Sequence, residues 1–346
     1  MPKAEVHVHL EGCFEVSDLA ALAREADQPL PADAQNPIEW EDLSSLLKFL
    51  DLACGLVKST EQVARAAYRF AEREAASGIL YADLIVNPTH WSAWTRDLGG
   101  FLDALDAGLA EAEADGHPPA GVCVSLLRSQ TPSQALELVD RLIERRPPRV
   151  VGLSIDGNEA ATGRTGPRFA EAFRRAAKGG LHRTVHAGES SGPEGVRDAI
   201  DLLMAERIDH GVRAIEDPNL VRQLAHRSIP LGICPTSNVV LGVYPNRASH
   251  PIEALRRAGV PVTINTDDPA LLRTTLVGEY AETARTFSWD VEILRTIART
   301  SIEASFCPEE MRRELLHALD SWRPAIPRPS GSAPKGRRAP RSVPRS

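Results

Sequence analysis

The chain has 346 residues, 42% of them apolar and 25% charged, with a net charge of −7, the balance of a globular protein with a large core. No run of about 18 apolar residues occurs, which excludes a helical membrane span, and the opening residues lack the basic and apolar regions of a secretory signal. The seven cationic residues from Arg323 onward leave −14 on the rest of the chain, which argues against a nucleic-acid-binding face. Five scattered cysteines with no CxxC fit reduced thiols and a cytoplasmic location.

Ala4 to Leu10 alternates Val with His and reads as a first strand. Ser17 to Ala26 reads as a helix capped by Ser17. Pro29 to Pro37 is a loop, Leu43 to Ser77 a long helical region, and Ile79 to Val86 a second strand ending at Asn87-Pro88. Trp91 and Trp94 lie in a loop, and Leu98 to Asp115 is helical, stopped by Gly116 and Pro118. Strands then fall over 120–127, 150–155, 183–186, 207–210, 229–234 and 260–265, separated by helices over 132–146, 166–178, 193–205, 218–226 and 251–258. Further helices run from about 276 to 305 and from 308 to 319. Strands alternating with helices mean a parallel sheet, and eight units favour a closed α/β architecture, a (β/α)8 TIM barrel with a helical insert after the first strand. An open doubly wound sheet would need a glycine-rich phosphate turn, and the chain has no GxGxxG. The organisation expected is one (β/α)8 domain over residues 1–322 and a disordered Pro/Arg/Ser-rich tail over 323–346.

Polar residues gather where the predicted strands end: His7, His9, Asp156, His186, Glu189, His210, Asp267 and Asp268. In a barrel those ends share one mouth. His7 and His9 are two apart on a strand, so they point to one face roughly 7 Å apart. Each feature is weak alone, but four at four strand ends of one barrel converge on a metal site. Imidazoles with one carboxylate suit Zn²⁺, one per chain, with an open position for water, whose pKa such an ion lowers towards about 7. Glu189, across a Gly turn from His186, suits acid/base work, and His210 suits orienting the water. Asp267 and Asp268 are adjacent, so their side chains diverge: one can ligate while the other faces substrate. Gly157 ends the fourth strand and permits close backbone approach to a ligand. Ser237 and Asn238 read as loop caps, with support of the site residues as the alternative. His90, His117, His182, His226, His250 and His317 follow no ligand spacing and read as structural or surface residues.

The run His7-Val8-His9-Leu10-Glu11-Gly12, the run His182 to Glu189, Asp209-His210-Gly211 and Asn265-Thr266-Asp267-Asp268-Pro269 resemble, in order, the signature of the adenosine deaminase superfamily. The resemblance implies that His7, His9, His186 and Asp267 bind zinc. It implies that Glu189 protonates purine N1, that His210 and Asp268 act on the hydroxide and the substrate, and that Gly157 hydrogen-bonds N3. The expected reaction is deamination of a 6-aminopurine nucleoside, adenosine or deoxyadenosine. The alternatives are deamination of adenine or of a modified adenosine such as 6-aminodeoxyfutalosine, a binuclear amidohydrolase, or an inactive purine-binding protein. The segment Val151 to Gly157 has no Lys to bridge two metals, which favours one ion. Glu11 stands where nucleoside deaminases often have Asp, and is expected to accept from a ribose hydroxyl. Ile85 stands where many members carry Arg. The insert over about 11–78, with Leu46, Leu47, Phe49, Leu50 and Leu52, is expected to form a lid. Adenosine or a 5′-modified relative is expected ahead of AMP or free adenine.

Overall fold

Eight parallel strands follow one another in sequence order around a single sheet in the computed structural model, which describes residues 1–30 and 43–324. They are β1 (Ala4–His9), β2 (Tyr81–Val86), β3 (Ala120–Leu127), β4 (Val150–Asp156), β5 (His182–Ala187), β6 (Arg207–His210), β7 (Leu231–Ile233) and β8 (Val262–Ile264). The ring closes just beyond β8. The His9 amide donates to Asp267 O at 2.8 Å, and the Asp267 amide donates to His7 O at 3.2 Å. This is the predicted (β/α)8 barrel. The predicted strands over 229–234 and 260–265 contract to three residues each; at their starts Pro230 and Pro261 have no N–H to give the ladder and take part only through their carbonyls, which accept from the Ile208 and Leu231 amides.

The insert between β1 and β2 carries α1 (Val16–Glu25), α2 (Leu43–Gly55) and α3 (Thr60–Ala76). The predicted long helical region over 43–77 consists of two helices. The break comes at Ser59, whose hydroxyl accepts from the Gln62 amide while the Gln62 side chain returns to the Ser59 amide, a reciprocal cap that starts α3. Helix α1 starts one residue earlier than predicted. Glu15, not Ser17, is its cap, in a reciprocal arrangement with Asp18.

Each later strand is followed by one or more helices: α4 (Leu98–Ala114), α5 (Pro132–Arg145), α6 (Glu159–Thr162), α7 (Gly166–Lys178), α8 (Pro193–Asp201), α9 (Pro218–Arg227), α10 (Pro235–Val240), α11 (Ile252–Arg257), α12 (Leu276–Phe287), α13 (Val291–Ala304) and α14 (Glu309–Ser321). Inside the barrel, Arg207 is wholly buried. It pairs with Asp83 at 2.7 Å, donates to Ala304 O, and lies 4.3 Å over the Phe306 ring. All five cysteines are buried and free. Among the described residues no helix is long and apolar enough to cross a membrane. The predicted loop over 29–37 lies mostly, and the tail over 323–346 almost wholly, outside the described residues.

Candidate active site

The strand-end residues meet in the barrel mouth, as the spacing predicts. His7 Nδ1 donates to Gly232 O at 2.9 Å, so in the neutral ring its Nε2 carries the lone pair, and that atom is buried with no hydrogen-bond partner. His7 Nε2 lies 3.1 Å from Asp267 Oδ1. His9 Nε2 lies 3.4 Å from the same oxygen and 3.0 Å from His186 Nε2. Zinc–ligand bonds of about 2.0–2.1 Å make the edges of a tetrahedron about 3.3–3.4 Å, and these three separations are close to such edges. Donor atoms of His7, His186, His210 and Asp267 also lie within 4.8 Å of one another. His210 fits such a shell less well than His9, because its Nε2 is 3.8 Å from Asp267 Oδ2 and nearer to Glu189 Oε1, at 3.5 Å.

The electrostatics call for a cation. Despite burial, Asp209 and Asp267 push His7 up to about 9. Against the same desolvation, His7 and its neighbours hold Asp267 well below the usual carboxylate range. A positive charge, whether proton or metal ion, is therefore stabilised between them. Asp209 Oδ2 sits 3.4 Å from His186 Nδ1, and Ser237 Oγ donates to Asp267 Oδ2 at 2.6 Å. Both orient a candidate ligand from behind. His210 and Asp267 have left-handed backbones, φ 66° and 67°, a strain of roughly 1–3 kcal/mol for non-glycine residues.

Glu189 is buried. That desolvation, with the charges of Asp267 and Glu159, pushes its carboxyl up to about 8, so it holds a proton at neutral pH. Its backbone is tied down by Glu159, whose carboxylate accepts from the amides of Gly188 at 3.1 Å, Glu189 at 2.9 Å and Ser191 at 3.4 Å. Buried Arg128 donates to His186 O and lies 3.7 Å from Glu159. One ion pair thus clamps both ends of the turn that carries His186 and Glu189.

On the other side, Glu11 is buried and Oε1 accepts from the Asn87 amide at 2.8 Å and from Trp91 Nε1 at 2.7 Å, while Oε2 has no partner. Burial raises the Glu11 carboxyl. Asn87 also donates to Asp156, joining the ends of β1, β2 and β4. Asp268, pushed upward by burial and by Asp267, keeps Oδ1 unpartnered. It packs against Gly12, where a Cβ would come within 2.0 Å of that oxygen. Gly157, at φ 99°, borders the same cavity, and α2 covers it with Leu43, Leu46, Leu47 and Leu50. The free space left is about 30 Å³, room for a water or two.

Several residues in this arrangement were not expected. Ser237 and Asn238, read as loop caps, contact Asp267 and His210. His250, read as structural or surface, is buried behind Asn238. His90 lines the cavity, held by Asp51 of α2 at 2.6 Å. Trp91 is wholly buried against Phe14 and Phe101. The available signal was position: Ser237, Asn238, His90 and Trp91 all lie in the segments that follow strands at the mouth. Among the described residues His117, His182, His226 and His317 do not join the cavity.

The family model described as Adenosine deaminase matches residues 2–322. An aminodeoxyfutalosine deaminase from Streptomyces coelicolor is 35% identical over 333 residues, covering 93% of this chain and 84% of the relative. An adenine deaminase from Sinorhizobium fredii is 34% identical over 320 residues, 92% of this chain and 98% of the relative. An amidohydrolase from Burkhoderia ambifaria, solved with bound Zn, superposes with a TM-score of 0.85 at 26% identity, over 92% of this chain and 90% of that one.

Proposed function

Because the chain belongs to the adenosine deaminase family, hydrolases that act on purine C–N bonds, we propose that it is a zinc-dependent deaminase whose preferred substrate is free adenine, converted to hypoxanthine and ammonia. The relatives back adenine or a modified adenosine better than adenosine itself. Zinc would be held by His7, His9, His186 and Asp267, whose close donor atoms and the orphaned His7 Nε2 fit it. When bound, it lowers the pKa of a water and supplies a nucleophile at neutral pH.

The protein's own groups do the rest. Glu189 arrives protonated and gives its proton to N1, which draws electrons from C6 and opens it to attack. His210, neutral because burial and His7 lower it to about 3, holds the attacking oxygen from one side. Asp268 holds the substrate from the other. The Gly157 backbone meets N3. These groups act on charge that develops in the transition state.

The observation that carries the choice of adenine is the lone Oε2 of Glu11. With N1 at Glu189 and N3 at Gly157, N9 faces Glu11. Free adenine brings an N9–H that can satisfy this buried acceptor directly; a nucleoside has no hydrogen on N9 and has to reach it with a ribose hydroxyl instead. The cavity also requires α2 to draw back even for a bare purine, and further for each substituent at N9. A 5′-modified adenosine is the second reading, favoured by the leucine face of α2, which would cover an apolar extension. The test is kcat/KM for adenine, adenosine, AMP and 6-aminodeoxyfutalosine. Adenine should be highest; any nucleoside that exceeds it removes the role given to Glu11.

A further inference from the structure

We propose that Asn238 and His250 are positioning residues that fix His210 as its Nε2–H tautomer, so that the ring presents a donor, not a lone pair, to the reaction cavity. The inference rests on the proposed function only through the role of His210.

The assignment starts from a backbone group that can only donate. The Ile252 amide lies 3.2 Å from His250 Nδ1, so that nitrogen carries the lone pair. The neutral ring therefore bears its hydrogen on Nε2, which is 3.1 Å from Asn238 Oδ1. This orients the Asn238 amide, oxygen towards His250 and NH2 towards His210 Nδ1, 3.2 Å away. An NH2 only donates, so His210 Nδ1 is the lone pair and its hydrogen sits on Nε2. Asn238 and His250 are buried, so bulk water does not compete. The Tyr244 ring packs 5.1 Å from His250, and the Tyr244 amide donates to Asn238 O at 2.9 Å, holding the relay in place. Burial and Arg247 lower His250 to about 3, which keeps it neutral as the chain of bonds requires.

The chemical consequence concerns the proton on Glu189. His210 Nε2 is 3.5 Å from Glu189 Oε1. A lone pair at that nitrogen would be a competing acceptor for the proton that purine N1 needs. It would also face the Asp267 carboxylate at 3.8 Å. A hydrogen there removes the competitor and offers a donor to the attacking oxygen instead.

Two measurements test this. In zinc-loaded protein labelled with ¹⁵N-histidine, long-range ¹H–¹⁵N correlations distinguish the tautomers, with His210 assigned by its loss in His210→Asn. A protonated Nε2 is expected, and a protonated Nδ1 overturns the proposal. In the second, His250→Leu removes the donor to Asn238 Oδ1 and frees the amide to turn over, while His250→Gln can supply an N–H in its place. The Leu variant should lose about 10²-fold in kcat with KM within about threefold and zinc content unchanged; the Gln variant should recover most of that loss. A Leu variant at the wild-type rate, or a Gln variant no better than Leu, overturns the proposal. If the Leu variant does not fold, the wild-type spectrum still decides. Absence of purine deamination by the wild type would sink the proposed function and leave the tautomer result standing.

Discussion

Replacing Trp91 with Phe separates the packing of the mouth from its hydrogen bonding. Trp91 is fully buried between Phe14 and Phe101, and its Nε1 donates to Glu11 at 2.7 Å. Phenylalanine keeps an aromatic ring there but loses the donor. Depriving a buried acceptor of a donor costs about 1.5–3 kcal/mol. The lower end applies because the Asn87 amide still serves the same oxygen. The smaller ring leaves a void of about 40 Å³, which at ~24 cal/mol per Å³ costs on the order of 1 kcal/mol. Together these give about 2.5 kcal/mol, or roughly 4 °C in Tm for a chain of this size. Thermal melts by circular dichroism read the stability, and steady-state kinetics with adenine read the site. KM should rise while kcat changes little, because Glu11 faces N9 and not C6. A variant that melts within about 2 °C of wild type with unchanged KM would refute the reasoning: the bond to Glu11 would then contribute nothing, and the lone Oε2 could not carry the substrate assignment.

Glu189→Gln should fold, keep its zinc and lose at least about 10²–10⁴-fold in kcat; activity within tenfold of wild type would place the proton source elsewhere. Elemental analysis should find one Zn²⁺ per chain, and chelation should lower Tm as well as abolish turnover; two ions per chain, or active metal-free protein, would contradict the four-ligand site. His250 is held near 3 in the fold against 6.5 in the unfolded chain. The unfolded state therefore takes the proton first: stability is full above about pH 6.5 and falls as pH drops, by about 2 kcal/mol at pH 5. Urea unfolding at pH 7 and pH 5 should show His250→Gln losing less than wild type by about that amount, and equal losses would refute the shift.

The barrel was legible because its strands are short apolar runs bounded by Gly and Pro, and its chemistry falls at their ends. His7, His9, His186, Glu189, His210, Asp267 and Asp268 could be found from position alone, and they do meet. What was not legible is what supports them. Asn238 and His250 are 12 residues apart and touch only because α10 and the turn before α11 fold against each other; no periodicity marks that. Glu159 resembles any acid at a helix start until the Gly188–Ser191 turn comes to lie against it. The cap at Glu15 and the break at Ser59 depend on side chains reaching back to particular amides, which composition does not encode. The substrate was the hardest reading: Glu11 alone suggests a ribose contact, and the sequence does not reveal that Trp91 and Asn87 already occupy one of its two oxygens.

The ion pair inside the barrel has a consequence for how the chain is made. Asp83 on β2 and Arg207 on β6 are 124 residues apart and both are buried without solvent. During synthesis, the first half of the barrel leaves the ribosome carrying a carboxylate destined for an apolar interior and no guanidinium to neutralise it. Burying an unpaired charge costs several kcal/mol, so β1 to β5 cannot close early on a native-like core. At about 5–20 residues per second, the stretch from Asp83 to Arg207 takes roughly 6–25 seconds to emerge. Throughout that interval the nascent half-barrel has an open sheet edge, until β6 delivers the counter-charge and the ring can shut.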